Sequence, residues 1–143
     1  MFLGAAWIAV QIAGALVSVD HERPYDLSFL DEPGATGRIG DDWLHGWGTG
    51  LAMPLGVLAA AAIVTVLVSF GGGWGRFAAL LMMVLGGLSI AFTLTNQVTY
   101  DRLDATKTDR LETGLIAGSL GLAGLLVVIG FITVITTPRT RRR

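Results

Sequence analysis

Two acid–histidine groups are the first places to look for chemistry in this chain. Asp20-His21-Glu22 is one, and Asp41, Asp42 and His45 form the other. Carboxylates and imidazoles are ligands for divalent metals, and a loop folding back could bring both groups to one ion. Zinc sites, however, use a defined tetrahedral set with a recognisable spacing. Neither group has such a spacing, so the expectation is a solvated acidic loop without a metal. His45 between Trp43 and Trp47 has the residue type for pH sensing, with nothing further to support it. The chain has no cysteine, which excludes disulfides, thiolate metal sites and cysteine nucleophiles. Gly71-Gly72-Gly73 lacks the lysine and the strand–helix setting of a phosphate-binding loop. No nucleophile elbow and no haem-type histidine pair is present. The expectation is a protein with no catalytic residues and no cofactor.

The remaining polar side chains of interest lie within apolar stretches. Gln11 stands near the middle of the first one, where it can hydrogen-bond to a neighbouring helix. Thr93, Thr95, Asn96 and Gln97 make the exit of the third polar. They could line a cavity, but a helix end meeting lipid headgroups is the simpler expectation. Asp, Glu, Lys, Arg and His are absent from all four stretches. Such residues usually carry protons and ions through membranes. Their absence argues against a proton-coupled transporter, a redox-linked pump or an intramembrane protease.

These residues are positioned by a chain whose composition is that of a membrane protein. Of 143 residues, 52% are apolar and 15% charged, well below the charged share of about 25% in soluble domains. Residues 2–19, 48–70, 77–98 and 113–136 carry no charge. About 20 apolar residues cross a hydrocarbon core of about 30 Å. Backbone groups in lipid need internal hydrogen bonds, so each stretch reads as a helix. The predicted fold is an all-α membrane protein, a four-transmembrane-helix bundle forming one polytopic domain over 1–143. The first helix also resembles a signal peptide, since Ala13-Gly14-Ala15 fits the small-x-small cleavage pattern. No Lys or Arg precedes it, and the balance favours retention.

Charge and aromatic residues set the expected orientation. Residues 20–47 form a long loop, and 20–49 hold seven acids and two arginines. Pro24, Pro33, Gly34, Gly37 and Gly40 break it, while Asp41 or Asp42 can cap a turn leading Trp43 and Trp47 to the membrane. The tail 137–143 carries Arg139, Arg141, Arg142 and Arg143, and Arg76 lies in the turn 71–76. The positive-inside bias places tail, turn and N-terminus in the cytoplasm, and loops 20–47 and 99–112 outside. The tail doubles as a site of attraction for anionic lipid. Five basic residues in the outer loops, Arg23, Arg38, Arg102, Lys107 and Arg110, weigh the other way, so the density of arginine at the tail decides. Trp43, Trp47, Trp74 and Tyr100 flank the stretches as interfacial anchors. Trp7 lies within one. The Ala-, Gly- and Arg-rich composition hints at a genome of high GC content, and the expected location is a bacterial cytoplasmic (inner) membrane.

Inside the membrane the clearest pattern is small residues four apart. Ala5, Ala9 and Ala13 form one ladder, and Gly48, Ala52, Gly56 and Ala60 a second. Gly114 and Gly118, followed by Gly121, form a third. Such ladders let helix backbones approach closely. Packing within one bundle is the first expectation, and a face for oligomers or a partner is the second. Pro54 is expected in the first turns of the second helix, where its missing N–H matters least.

Three functional classes remain. The first is a non-enzymatic protein acting through helix association, as an accessory subunit or a regulatory or immunity-type partner. Its partners would be the bilayer and other membrane chains or itself. The second is a holin-like permeabilising protein, and the third a small channel or transporter. Nucleic-acid binding is not expected, since the only basic cluster is a seven-residue tail.

Overall fold

The computed structural model describes residues 2–21, 39–44, 48–49, 51–70, 72–102 and 110–136, with side chains except at 42 and 97–102. Nearly all of these residues are helical. Helix α1 spans Phe2–Asp20, the short α2 spans Ile39–Leu44 and α3 spans Leu55–Leu67. A 3-10 turn, Val68–Phe70, follows α3. Helix α4 spans Gly72–Arg102 and α5 spans Arg110–Thr136. Three helices are long and apolar enough to cross a membrane: Phe2–Asp20, Gly72–Asn96 within α4, and Arg110–Thr136. The chain is therefore a multi-pass membrane protein by length and composition.

The helix expected over 48–70 is shorter than the sequence implies. Residues 48–49 and 51–54 are not helical, and the helix begins at Leu55. Proline has no N–H and clashes with the carbonyl four residues before it. It also pushes the residue before it towards extended backbone. Pro54 thus takes the N-cap position, with ψ of 142°. As the sequence implies, its missing donor is not needed there, but the start of the helix lies further along the chain. The apolar helical stretch Leu55–Phe70 has 16 residues, about 24 Å at 1.5 Å per residue. That is short of a full hydrocarbon core.

Two other boundaries move. The turn expected at 71–76 is already helical from Gly72, whose φ of +57° makes the reversal. Only glycine adopts that backbone without strain. Helix α4 then continues to Arg102, so Thr93 and Asn96 lie well inside a helix and are buried. Helix α5 starts three residues before the apolar run, which draws Glu112 into its first turn. Of the acidic loop, only Asp20, His21 and 39–44 fall within the described residues. Glu22, His45, Trp47, the connection 103–109 and the arginines of the tail lie outside them.

The four larger elements form a ring. Helix α1 touches α3 and α5, and α4 touches α3 and α5. Cross-contacts set their directions. A Cβ on Gly4 would meet Thr65, so α1 and α3 are antiparallel given that Leu51 lies against Gly14. Gly86 faces Ala123 and Gly130 faces Ala79, so α4 and α5 are antiparallel too. His21 meets Glu112 at one end of α1, and Leu3 and Thr133 share a cavity at the other. The bundle thus has a terminal end, near Phe2 and Thr136, and a loop end, near His21 and Glu112. Trp7, Leu58, Ala61, Ala78, Met82, Ala123 and Leu126 form the apolar core between them.

Candidate functional site

Burial on α1 falls on Gly4, Trp7, Gln11, Gly14, Ala15 and Ser18. Steps of three and four residues place them on one helical face. Helix α4 turns Ser89, Thr93 and Asn96 inward on one face, and α5 turns Glu112 and Ser119 inward on another. These polar side chains gather in the loop-end half of the bundle. They stand where lipid-facing positions would be apolar.

Gln11 is the centre of this region. It is 1% exposed. Its Nε2 donates to Ser119 Oγ at 2.7 Å, and its Oε1 accepts the backbone N–H of Met53 at 2.9 Å. The cross-helix bond expected of Gln11 is therefore present, and a second bond holds the non-helical segment. Two further donors of that segment are met by hydroxyls. Leu51 N–H donates to Ser18 Oγ at 3.2 Å, and Ala52 N–H donates to Thr49 Oγ1 at 3.0 Å. Trp43 Nε1 donates to the Met53 carbonyl at 3.0 Å. Irregular backbone at membrane depth persists only where protein or water satisfies its polar groups. Here side chains from α1, α2 and the segment itself do so.

One layer nearer the terminal end, Trp7 Nε1 donates to Ser89 Oγ at 3.3 Å. At the loop end, His21 Nδ1 and Glu112 Oε1 are hydrogen-bonded at 2.9 Å. Glu112 is 2% exposed, while the His21 side chain is about a third exposed. Nε2 of His21 also lies 3.7 Å from the exposed carboxylate of Asp20. The acid beside His21 in sequence is thus the weaker contact, and its close partner comes from 91 residues away. Among the described residues, no group of three or more His, Asp or Glu side chains is placed to hold a metal ion.

The small-residue ladders are divided between inside and outside. Ala52 and Gly48 are buried, with Gly48 against the Phe92 ring, but neither is helical. Ala13 and Gly118 are half-buried. Ala5, Ala9, Gly56, Ala60, Gly114 and Gly121 are exposed, and a Cβ added at Gly56, Gly114 or Gly121 would meet nothing within 4 Å. These six residues therefore stay on the outside of the bundle formed by the described residues. The close approaches occur elsewhere. A Cβ at Gly86 or Gly130 would lie 2.8 Å from the carbonyl oxygen of Ala123 or Ala79, and one at Gly14 would lie 2.8 Å from that of Leu51. Spacing of small residues overlooked these positions. The polar residues sharing their faces, Gln11 and Ser18 on α1 and Ser89 on α4, would have marked them. Of the aromatic anchors, Trp74 is exposed and Trp43 is drawn inward by its bond to Met53. Trp47 and the side chain of Tyr100 lie outside the described set.

No protein-family model, no curated protein and no solved structure matches this chain.

Proposed function

We propose that this chain crosses the bilayer four times and acts without catalysis, by associating through its membrane helices with a second copy or with other membrane chains. It would serve as an accessory or regulatory subunit. The observation that carries this reading is the outward position of Ala5, Ala9, Gly56, Ala60, Gly114 and Gly121. Lipid tails give helices no hydrophobic reason to associate, so close backbone approach over small residues supplies much of the attraction. These residues offer that approach on the outside of the described bundle, where they stay exposed.

The fourth crossing would be the segment 48–70, part irregular and part helix. Its support is the register along α1. Leu51 lies against Ser18 and Gly14, Met53 against Gln11 and Thr65 against Gly4. The segment thus accompanies α1 over 14 residues, about 21 Å of its length. Retention of α1 belongs to the same reading, since Trp7, Gln11 and Ser18 are at the centre of the interior. Four crossings put both ends on one side. The arginine tail favours the cytoplasmic side, with the acidic loop outside.

Native mass measurement of the extracted protein tests association. The expected result is an oligomer or a complex that reverts to monomer when Gly114→Leu and Gly121→Leu are combined. Both positions face open space, so the monomer's own fold is retained. A protein that is monomeric and partner-free before substitution would overturn the proposal.

A further inference from the structure

At the terminal end, α1 begins further in than its neighbours reach. Gly4 lies against Thr65 and Met82, which sets Phe2, the first residue of α1, near the level of Leu80 on the parallel α4. From that level α4 extends back to Gly72 and the antiparallel α5 runs on to Thr136, each about 10 Å further. Among the described residues the ring therefore lacks its α1 wall over that length. The gap falls between α5 and the 3-10 turn at Val68, the neighbours of α1 on either side. The cavity of about 80 Å³ lies at this step, beside Leu3 and Gly4 and between Val68 and Thr133, and it is partly open.

Its walls suit an apolar guest. Two hydroxyls line it, and both are committed to their own helices. Thr65 Oγ1 donates to the Ala61 carbonyl at 2.7 Å, and Thr133 Oγ1 donates to that of Ile129 at 2.8 Å. The other lining residues are apolar. A buried water makes about three hydrogen bonds, and dry cavities in proteins are apolar. No acid lines the cavity, so the arginines that follow α5 in sequence have no counter-charge there. An apolar cavity of about 150 Å³ admits benzene or xenon. At about half that size, this one suits a slender guest better than a ring. Around it Phe2, Phe70 and Ile129 are exposed, on or beside helices long and apolar enough to cross a membrane. The opening is thus continuous with the surface that meets lipid tails.

We propose that this cavity seats one acyl chain of a bilayer lipid, which enters at the level where α1 begins and takes the place of the absent wall. Methylene groups there restore the dispersion contacts that an empty space denies its lining. The seat needs the bundle to lie in a bilayer, and it needs no second protein chain.

Trp7 reports on the guest. Its side chain is fully buried and packs in the same cluster as Met82 and Leu126, two of the cavity walls. Trp43→Phe, Trp47→Phe and Trp74→Phe together leave Trp7 as the only tryptophan. This protein is placed in nanodiscs of phosphatidylcholine with or without bromine on the acyl chains, because bromine quenches indole fluorescence at short range. The expected result is a loss of Trp7 emission in the brominated lipid. Thr133→Phe, which sets a ring at the rim of the cavity, should restore the emission, and so should Ala79→Leu, which fills it from α4. Restoration by either variant supports the seat. Quenching that both variants leave unchanged would mean that bromine reaches Trp7 from the outer surface, and would overturn it. The absence of quenching would overturn it as well. Quenching that appears only when Gly114→Leu and Gly121→Leu are added would assign the cavity to another protein chain, which also overturns the lipid.

Discussion

At the terminal end of the bundle, α4 and α5 meet backbone to backbone. Gly130 lies against the carbonyl of Ala79, and further in Gly86 lies against that of Ala123. Thr65, a buried polar residue there, bonds to the Ala61 carbonyl of its own helix. A cavity of about 80 Å³ lies beside it, lined by Leu3, Gly4, Met82 and Leu126 among others. At the loop end the helices are tied by side chains, through Gln11 to Ser119 and Met53, Ser18 to Leu51, and His21 to Glu112. The difference follows from what each end has to bury. Two uninterrupted helices present no polar backbone, so close contact is enough. The non-helical stretch before Pro54 presents N–H and C=O groups inside the bundle, and polar side chains answer them. Polar residues collect where the helix is broken.

The largest effect should come from filling the close contacts at the glycine-packed end. Gly86→Ala and Gly130→Ala each push a methyl against a backbone oxygen that cannot swing aside. Overpacking of this kind costs about 1–3 kcal/mol per site. The two contacts are far enough apart for their effects to add. Unfolding of the double variant in detergent should show a loss of about 2–6 kcal/mol. A loss no greater than at an outward glycine would show that α4 and α5 are not in backbone contact.

Gln11→Leu tests the other end. It keeps the bulk but strands the Met53 N–H and removes the partner of Ser119. The expected loss is about 1–3 kcal/mol. It should be accompanied by faster amide exchange at Met53, while Ala123 is unchanged. Uniform loosening of the whole bundle would mean that the two ends do not behave as separate regions. Trp43→Phe is milder, since it removes one donor from the Met53 carbonyl at a half-buried site. A loss of about 1 kcal/mol, confined to the loop end, is expected.

The membrane character and the three long helices were legible because long apolar runs report directly on transfer to lipid. The break at 48–54 was not, since hydropathy records how apolar a segment is and not whether its backbone is bonded. Its supports, Gln11 and Ser18, are 42 and 33 residues from the groups they bind. The His21–Glu112 pair was hidden for the same reason. Glu112 read as part of a charged loop, and only the early start of α5 brings it into the bundle. The small-residue ladders marked faces suited to close approach without saying which way they turn. On α1 the ladder Ala5 and Ala9 points out, while the stripe holding Gln11 and Ser18 points in. In lipid, polarity identifies the inward face, and smallness alone does not.

The smallest effect is expected one residue from the largest. Gly87 follows Gly86 on α4 but faces outward, and a Cβ there meets nothing within 4 Å. In a soluble helix, Gly→Ala would stabilise by up to about 1 kcal/mol through helix propensity. Much of that gain reflects backbone freedom lost on folding. In lipid the chain separated from its neighbours is still helical, because its backbone has no other partners. Gly87→Ala should therefore change stability by no more than about 0.5 kcal/mol, as surface substitutions usually do. The pair Gly86→Ala and Gly87→Ala then isolates contact from propensity within a single turn. If both variants lose stability alike, the face of α4 assigned to lipid is itself covered by another chain. Association through the outward small residues would produce that result in the assembled protein and not in the monomer.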